Sequence, residues 1–422
     1  MIINILFIIS IILLISYSLI RYNAFSKSFY LVDSFLFGIF FYTIGSLFLY
    51  SESYNIKYEI MTLISCIALI SALLGSILSI ILTKNKHIHS GVLNNLTSTN
   101  HNLVKKILFF SIFICSIFIY TVITNQSVFL LILDTFASID SNYTAARKAI
   151  TSGTDGYFAP GYVKQFRDIL GPIAMVTLIL LKPKGYKKTA FITFPILISA
   201  MLLSGQRSII IIFLLLYFLV VLRSTSHVTS NFKKIIFISF SILIFYLLSV
   251  FIGRVSSEST SFLNIITDTL FSFFERTVLT VPYENSVYFE FWWQNPTYGY
   301  SWFSEIERIM LGSNSGFSNK LHSLNLGSIQ GNSVLGLPID VYFAYGYTGV
   351  ILFPFIYSIL INKFDKVLRK SNYTIIYVCR IYLFITIPIM YSPYGFLLYG
   401  GGIVLVLLAI IPLLNKKLIL NI

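Results

Sequence analysis

Few residues of this 422-residue sequence could take part in chemistry, and most are single charged residues in apolar surroundings. Arg207 is the clearest case. It is the only charge in the turn Ser204-Gly205-Gln206-Arg207-Ser208, which joins the apolar runs 201–203 and 209–212. A guanidinium presents a rigid fork that suits bidentate contact with phosphate. Arg207 is therefore predicted to contact a phosphate at the hydrocarbon boundary, of either a substrate or a membrane lipid.

All three tryptophans, Trp292, Trp293 and Trp302, lie in one short aromatic stretch, residues 289–303. An interfacial aromatic belt would spread tryptophan over several membrane spans and both interfaces. Aromatic faces also stack against the C–H faces of sugar rings, and Glu290 in the same stretch offers a hydrogen-bond acceptor to hydroxyl groups. The stretch is therefore interpreted as a carbohydrate-facing surface, an interpretation that is compatible with a position at the membrane interface.

Other candidate residues have simpler explanations beside the functional one. Asp340 follows Pro338 in the first turn of a predicted span, where the helix dipole favours a carboxylate. Arg276 lies beside Glu275 and suits a surface ion pair, a weak interaction. Arg254 suits that explanation less well, because it directly closes an apolar run. The histidines form no metal-binding motif, and three cysteines without paired spacing favour neither a disulfide framework nor a zinc site.

The amino-acid composition indicates the class of protein to which these candidate residues belong. Hydrophobic residues make up 56% of the chain and charged residues 11%, with a mean hydropathy of +0.83. Soluble globular proteins carry about 25% charged residues. So few charges cannot cover a water-facing surface, which excludes a soluble enzyme and a disordered chain. The sequence predicts an all-α, polytopic integral membrane protein that forms a single transmembrane domain over residues 1–422.

Apolar runs of about 20 residues are long enough to cross a bilayer as helices. On this basis the sequence contains about eleven spans. They are predicted at residues 2–20, 29–50, 59–83, 107–124, 168–181, 189–205, 208–222, 235–253, 336–362, 373–392 and 395–414.

The net charge of +14 is explained by topology. Lys and Arg concentrate in cytoplasmic loops, and the alternating connections sort cleanly under this rule. One set carries 19 of the 30 basic residues with a single acid, Asp365. This set is assigned to the cytoplasm, so the N-terminus lies outside and the C-terminus inside, as eleven spans require. The basic balance therefore does not indicate nucleic acid.

Two outward-facing connections are long, residues 125–167 and residues 254–335. Long loops in compact structures are usually functional or disordered. These two contain enough large apolar and aromatic residues to bury surface. Both are therefore predicted to be ordered periplasmic loops that form the functional surface.

Two short motifs resemble a known family. One is Leu203-Ser204-Gly205-Gln206-Arg207-Ser208, followed at once by an apolar span. The other is Gly331-Asn332-Ser333, which leads into the aromatic run 340–349 that ends in G-x-x-G. With the architecture, they resemble the bacterial O-antigen and oligosaccharide repeat-unit polymerases of the Wzy type. In that family, a similar stretch re-enters the membrane after the last large periplasmic loop.

The resemblance implies transfer of a growing glycan from undecaprenyl pyrophosphate to a sugar hydroxyl of a new lipid-linked repeat unit. The reaction would occur on the periplasmic face of the bacterial inner membrane. A general base is required, and His322, Glu290 or Asp340 could serve. The pyrophosphate leaving group requires outward-facing arginines. The candidates are Arg207, Arg254, Arg167, Arg147 and Arg276.

The remaining expectations follow from the same resemblance. The donor is already activated, so no cofactor and no metal are expected. Expected partners are lipid-linked oligosaccharides, membrane lipids and the partner protein that commonly sets chain length in this pathway. An O-antigen ligase is the nearest alternative, although ligases usually concentrate their site in one large loop. A lipid-linked oligosaccharide flippase is the other alternative, but it would have short loops on both sides and charges lining an interior cavity.

Overall fold

A computed structural model of the chain describes residues 2–22, 30–82, 101–125, 160–183, 185–204, 207–224, 275–292, 296–311, 317–326, 335–369, 371, 373–387, 402 and 404–408. Of these residues, 93% are helical and none lies in a strand, which agrees with the predicted all-α class. Within the same ranges, six helices are long and apolar enough to cross a membrane. The count of eleven spans and the orientation remain predictions.

The helices of the described ranges are numbered in chain order. They are α1 (Ile2–Tyr22), α2 (Leu31–Ser53), α3 (Ile56–Leu82), α4 (His101–Thr124), α5 (Pro160–Gln165), α6 (Gly171–Leu181), α7 (Tyr186–Leu203), α8 (Arg207–Ser224), α9 (Thr280–Trp292), α10 (Tyr300–Leu311), α11 (Phe317–Leu326), α12 (Leu337–Arg369) and α13 (Thr374–Thr386). Two π-helical turns, Phe166–Leu170 and Glu275–Leu279, directly precede α6 and α9.

The six long apolar helices coincide with six predicted spans. They are α1, α2, α3, α4, α7 and α12. Shorter apolar helices, α8 and α13, correspond to the predicted spans 208–222 and 373–392. Residues 168–181 lie in a continuous helical stretch that includes a π-helical turn. The predicted span 235–253 and most of the span 395–414 fall outside the described residues.

The chain forms two compact units, and each is described by itself. The first consists of residues 1–90, 272–370 and 386–402; the second consists of residues 91–271, 371–385 and 403–422. In the first unit, α3 packs against α1, α2 and α12. It presents small buried residues to them: for example, Gly75 lies directly against the backbone of Phe355 and the side chain of Ser358. Small residues let membrane helices approach closely, so the composition of α3 explains its central place.

A cluster of charged and aromatic side chains ties the helix ends of the first unit together, on the side predicted to be cytoplasmic. The Cζ atoms of Arg21 and Arg369 lie 3.5 and 3.6 Å from the ring centroid of Tyr30. Two guanidinium groups at these distances must occupy opposite faces of the ring, because on one face they would overlap. Arg369 also pairs with Asp365 at 3.0 Å, and Asp33 accepts from the backbone N–H of Tyr30 at 3.2 Å.

The second long loop is largely helical where it is described. Its described part contains α9, α10 and α11, none of which the sequence predicted. The π-helical turn before α9 packs on α2, where Gly45 lies against the carbonyl oxygen of Val278 and the ring of Pro282. The loop therefore packs along the side of a predicted membrane span instead of lying only above its end.

The second unit is built around α4, which packs against α6, α7 and the π-helical turn before α6. Gly171 allows this close approach, because a side chain there would meet Leu197 and Ser111. Of the first long loop, only residue 125 and residues 160–167 are described, and the latter are helical.

Candidate functional site

Helix α12 is broken at Gly346, which has φ 64° and ψ −154°. This backbone conformation is essentially confined to glycine. The two halves fold towards each other, because the indole of Trp302 contacts both Asp340 and Phe353. Thirteen residues of straight helix would separate those two positions by about 20 Å. The span predicted over residues 336–362 is therefore not one straight helix: the segment consists of a short helix, residues 337–345, and a long helix, residues 347–369.

The break lies partway along the neighbouring helix α3. The hydroxyl of Ser71 donates to the carbonyl oxygen of Ile351, and the amide of Asn362 donates to the hydroxyl of Ser79 at 2.7 Å. These pairs show that α3 and the long half of α12 run in the same direction. At 1.5 Å per residue, this register places Tyr347 about 16 Å along α3 from its first residue. The short helix therefore lies beside the predicted spans, as a re-entrant segment would.

The segment 296–300 caps the end of the short helix. The break leaves backbone carbonyl groups of the last helical turn without intrahelical partners. The backbone N–H and the hydroxyl of Thr297 donate to the carbonyl oxygen of Phe343 at 2.6 and 2.9 Å. The backbone N–H of Gly299 donates to the carbonyl oxygen of Ala344 at 2.9 Å. The segment 296–300 and the helix break thus form one hydrogen-bonded assembly.

Asp340 is fully buried, with 0% exposure, inside this assembly. The indole N–H of Trp302 donates to its Oδ2 at 3.1 Å. The ring of Trp302 is itself held edge-on by Tyr345 and Phe353, at centroid distances of 5.5 and 4.8 Å. The structure therefore brings together two of the predicted site residues. It gives Trp302 a contact that its predicted sugar-facing role did not include.

Asn285 fixes the start of the short helix and was not predicted from the sequence. Its Oδ1 accepts from the backbone N–H of Gly336 at 2.8 Å and from the hydroxyl of Tyr42 at 3.4 Å. Its Nδ2 donates to the carbonyl oxygen of Val281 at 2.7 Å. Buried polar groups are normally hydrogen-bonded, and here the bonds connect α2, α9 and α12. Asn285 lies outside the aromatic stretch 289–303, and no sequence motif marks it.

Exposed aromatic side chains surround the helix break. They are Tyr298, Tyr300, Phe303, Tyr345 and Tyr347, with Tyr298 the most exposed at 84%. The ammonium group of Lys320 lies 5.5 Å from the ring centroid of Tyr300. We call these five residues the aromatic rim. Trp302 is only partly accessible, whereas the rings of the aromatic rim are exposed. A sugar could therefore stack against the rings of the rim.

Two helices that carry other predicted residues pack against the short helix. Helix α9 contains Glu290 and Trp292, and its Phe289 stacks on Phe343 at 6.2 Å. Helix α11 contains His322, and its Phe317 contacts the same ring edge-on at 6.2 Å. The backbones of these predicted residues therefore lie in helices that contact the short helix at Phe343. The side chains of His322, Glu290 and Trp292 fall outside the described residues.

Arg167 occupies a different place, in the π-helical turn of the second unit. Its Nε and Nη2 atoms donate to Asp168 Oδ1 and Oδ2 at 2.5 and 2.9 Å, and both side chains are buried. The Arg167 guanidinium also lies 5.1 Å from the ring centroid of Phe118. Short π-helical turns are frequent at functional sites. In this structure, Arg167 is neutralised by its neighbour and does not face water.

Arg207 is the first residue of α8, and α7 ends at Leu203. Residues 205 and 206, between these ends, lie outside the described residues, so the tight turn stays a prediction. The side chain of Arg207 falls outside the described residues, as does the side chain of Arg276 in its π-helical turn. Arg147, Arg254 and Trp293 lie wholly outside the described ranges. The structure therefore does not test these predicted contacts.

Within the described ranges, no three His, Cys, Asp or Glu residues are arranged to hold a metal ion. Comparison of the chain with protein-family models, curated proteins and solved structures finds no match.

Proposed function

We propose that the chain is a membrane glycosyltransferase that polymerises lipid-linked oligosaccharide repeat units. A sugar hydroxyl of a new lipid-linked unit attacks the anomeric carbon of the glycan held on undecaprenyl pyrophosphate. A carbon–oxygen bond to the acceptor forms and the bond to pyrophosphate breaks. The hydroxyl proton passes to a base, and undecaprenyl pyrophosphate leaves. The reaction takes place on the periplasmic face of the bacterial inner membrane.

The observation that carries this proposal is the buried carboxylate of Asp340 at a helix break bordered by the aromatic rim. Abstraction of a hydroxyl proton requires a general base positioned at hydrogen-bond distance from the acceptor. A carboxylate provides such a base without a cofactor. His322 and Glu290 remain the alternative bases, since both belong to helices that contact the short helix.

Sugar recognition is the second requirement. The aromatic rim presents four tyrosines and one phenylalanine with accessible rings, together with Lys320. Tyrosine combines an apolar face with a hydroxyl group, which suits sugars that expose both C–H and O–H groups. In the proposed complex, the rim holds the acceptor unit, and Trp292 and Trp293 keep their predicted role as glycan-binding residues.

Stabilisation of the leaving group is the third requirement. Charge develops on the pyrophosphate as the glycosidic bond breaks, and fixed cationic donors lower that barrier. Arg207 is assigned this role because it opens α8 at a turn between two apolar helices. Arg254, Arg147 and Arg276 are further candidates. Arg167 also remains a candidate, although its present partner is Asp168.

Two other membrane proteins that handle lipid-linked glycans remain as alternatives: an O-antigen ligase and a flippase. A flippase requires charges along an interior cavity. Several buried charges of the described helices lie close to helix ends, such as Asp33 in the first turn of α2 and Asp365 near the end of α12. This placement favours the enzyme. A partner protein that sets chain length and surrounding membrane lipids complete the proposed setting.

Deletion of the gene in its native host tests the proposal. Electrophoresis of the surface glycan should then show a single repeat unit on lipid A in place of a ladder. A mutant that displays no repeat unit would instead indicate a ligase or a flippase. Plasmid-borne wild-type chain should restore the ladder and serves as the control.

A further inference from the structure

The carboxylate assigned as base is completely covered. Asp340 has no exposed surface, and the segment that covers it carries Trp302. A general base must come within about 2.6–3.2 Å of the hydroxyl it deprotonates. In the observed arrangement, Oδ2 of Asp340 already accepts a hydrogen bond from the indole, at 3.1 Å. The indole N–H therefore occupies one of the acceptor positions of the carboxylate.

We propose that Trp302 is a positioning residue for Asp340: its indole N–H fixes the orientation of the carboxylate, and its ring shields the carboxylate from water. The expected effect of Trp302 on catalysis rests on the proposed function. The shielding of the Asp340 carboxylate from water does not depend on that function. Trp302 is not a catalytic residue in this scheme, because it acts on the reaction only through Asp340.

The placement of the indole is determined by other contacts, so the hydrogen bond is not incidental. Tyr345 and Phe353 approach the ring edge-on from the two halves of α12. Thr297 and Gly299 anchor the preceding backbone to the carbonyl oxygens of residues 343 and 344. A donor held by packing loses little conformational entropy when it binds its acceptor. The indole is thus suited to hold one carboxylate oxygen in a constant direction.

The backbone beneath Asp340 is held independently. The N–H of Asp340 donates to the carbonyl oxygen of Gly336 at 2.9 Å, and the N–H of Gly336 donates to Asn285 at 2.8 Å. A side chain on Gly336 would meet the ring of Tyr42. Because this second anchor does not involve Trp302, a change at Trp302 should alter the carboxylate without displacing the helix.

Chemical labelling tests the shielding. The purified chain in detergent is treated with a water-soluble carbodiimide and glycine ethyl ester, and modified carboxylates are located by peptide mass spectrometry. Asp340 should be protected in the wild type and labelled at least about fivefold more in Trp302→Ala. Exposed Glu307 should be labelled equally in both proteins, and buried Asp33 and Asp365 should stay protected, which verifies folding. Equal protection of Asp340 in both proteins, with those controls satisfied, would overturn the proposal.

Kinetics test the positioning. Trp302→Phe keeps the ring and removes the N–H donor. With lipid-linked repeat unit extracted from the deletion strain as substrate, this variant should lose about tenfold or more in kcat while KM changes less than about twofold. A role limited to packing would instead lower the thermal midpoint and spare kcat, and wild-type kcat in Trp302→Phe would overturn the proposal. If the wild type makes no polymer, the proposed function fails, whereas the labelling comparison still decides the shielding.

Discussion

The indole N–H of Trp302 donates a hydrogen bond to Oδ2 of Asp340 at 3.1 Å, although 38 residues separate them in the chain. The bond joins the segment 296–303 to the short helix before Gly346. A loop that follows one predicted span and a segment that begins another are thereby combined in one site.

Replacement of the buried carboxylate should abolish chain extension. Asp340→Asn keeps the shape of the side chain and an oxygen that can accept from Trp302, but it removes the basic group. Loss of a general base typically costs about 10²–10⁴-fold in rate. The variant should therefore reach the membrane at normal abundance and yield only single repeat units in the native host. Exposed Glu307→Gln is the matched control and should give the normal ladder. A normal ladder from Asp340→Asn would remove Asp340 as the base.

Arg207 should be required for the same reaction. Arg207→Ala removes the donor assigned to the pyrophosphate, so glycan should remain at one repeat unit while the protein still inserts. Arg207→Lys keeps the charge but not the bidentate fork, and it should retain part of the activity. Lys187→Ala changes an exposed cation near the other end of α7 and should leave the ladder intact. Ladders of normal length in Arg207→Ala would refute this assignment.

The buried pair of Arg167 and Asp168 allows stability and function to be separated. Arg167→Ala leaves the Asp168 carboxylate buried without its guanidinium partner, a change that typically costs about 3–5 kcal/mol. Its thermal midpoint in detergent should fall clearly below that of the wild type. Replacement of both residues, Arg167→Met with Asp168→Leu, should recover most of the loss, because buried ion pairs are often replaceable by apolar residues.

The double variant then reports on the pyrophosphate contact. If Arg167 binds the leaving group, the stable double variant should still fail to extend chains. A double variant as unstable as Arg167→Ala would contradict the account of the pair as an ion pair that apolar packing can replace. Full-length ladders from the double variant would restrict Arg167 to a structural role.

The ring of Tyr30 should contribute to stability through the two arginines that flank it. Cation–π contacts are worth about 0.5–2 kcal/mol each, so Tyr30→Ala should lose roughly 1–4 kcal/mol, whereas Tyr30→Phe keeps the ring and most of the effect. Thermal unfolding in detergent measures the difference. Tyr54, which is 79% exposed, provides the control variant Tyr54→Ala. Equal thermal midpoints for Tyr30→Ala and Tyr30→Phe would show that the cation–π contacts of the Tyr30 ring do not contribute to stability.

Much of the fold follows from apolar length. The helices α1, α2 and α3 begin and end within a few residues of the predicted spans, because hydrocarbon thickness sets the number of apolar residues. The break in α12 could not be predicted in the same way. A single glycine is compatible with a straight helix, and only the backbone angles of Gly346 distinguish the two cases.

The site was predicted in part. Asp340 was a candidate because a carboxylate in an apolar segment is unusual, and Trp302 because the tryptophans cluster. Their contact is tertiary, and no sequence spacing indicates it. Asn285 belongs to no motif, so its bonds to Gly336 and Tyr42 become visible only once α2, α9 and α12 are packed together. The helices α9, α10 and α11 were missed because the stretch was predicted as the connection between two apolar runs of about 20 residues.

Reconstitution is the most direct test of the central claim. Purified chain in liposomes is supplied with lipid-linked repeat unit extracted from the deletion strain, without nucleotide sugars or other proteins, and products are separated by electrophoresis. The account predicts a ladder of lipid-linked glycans that differ by one repeat unit, with undecaprenyl pyrophosphate released at each step and no ladder from Asp340→Asn. Unchanged single repeat units with the wild-type chain would contradict it, as would transfer of the unit only to added lipid A core.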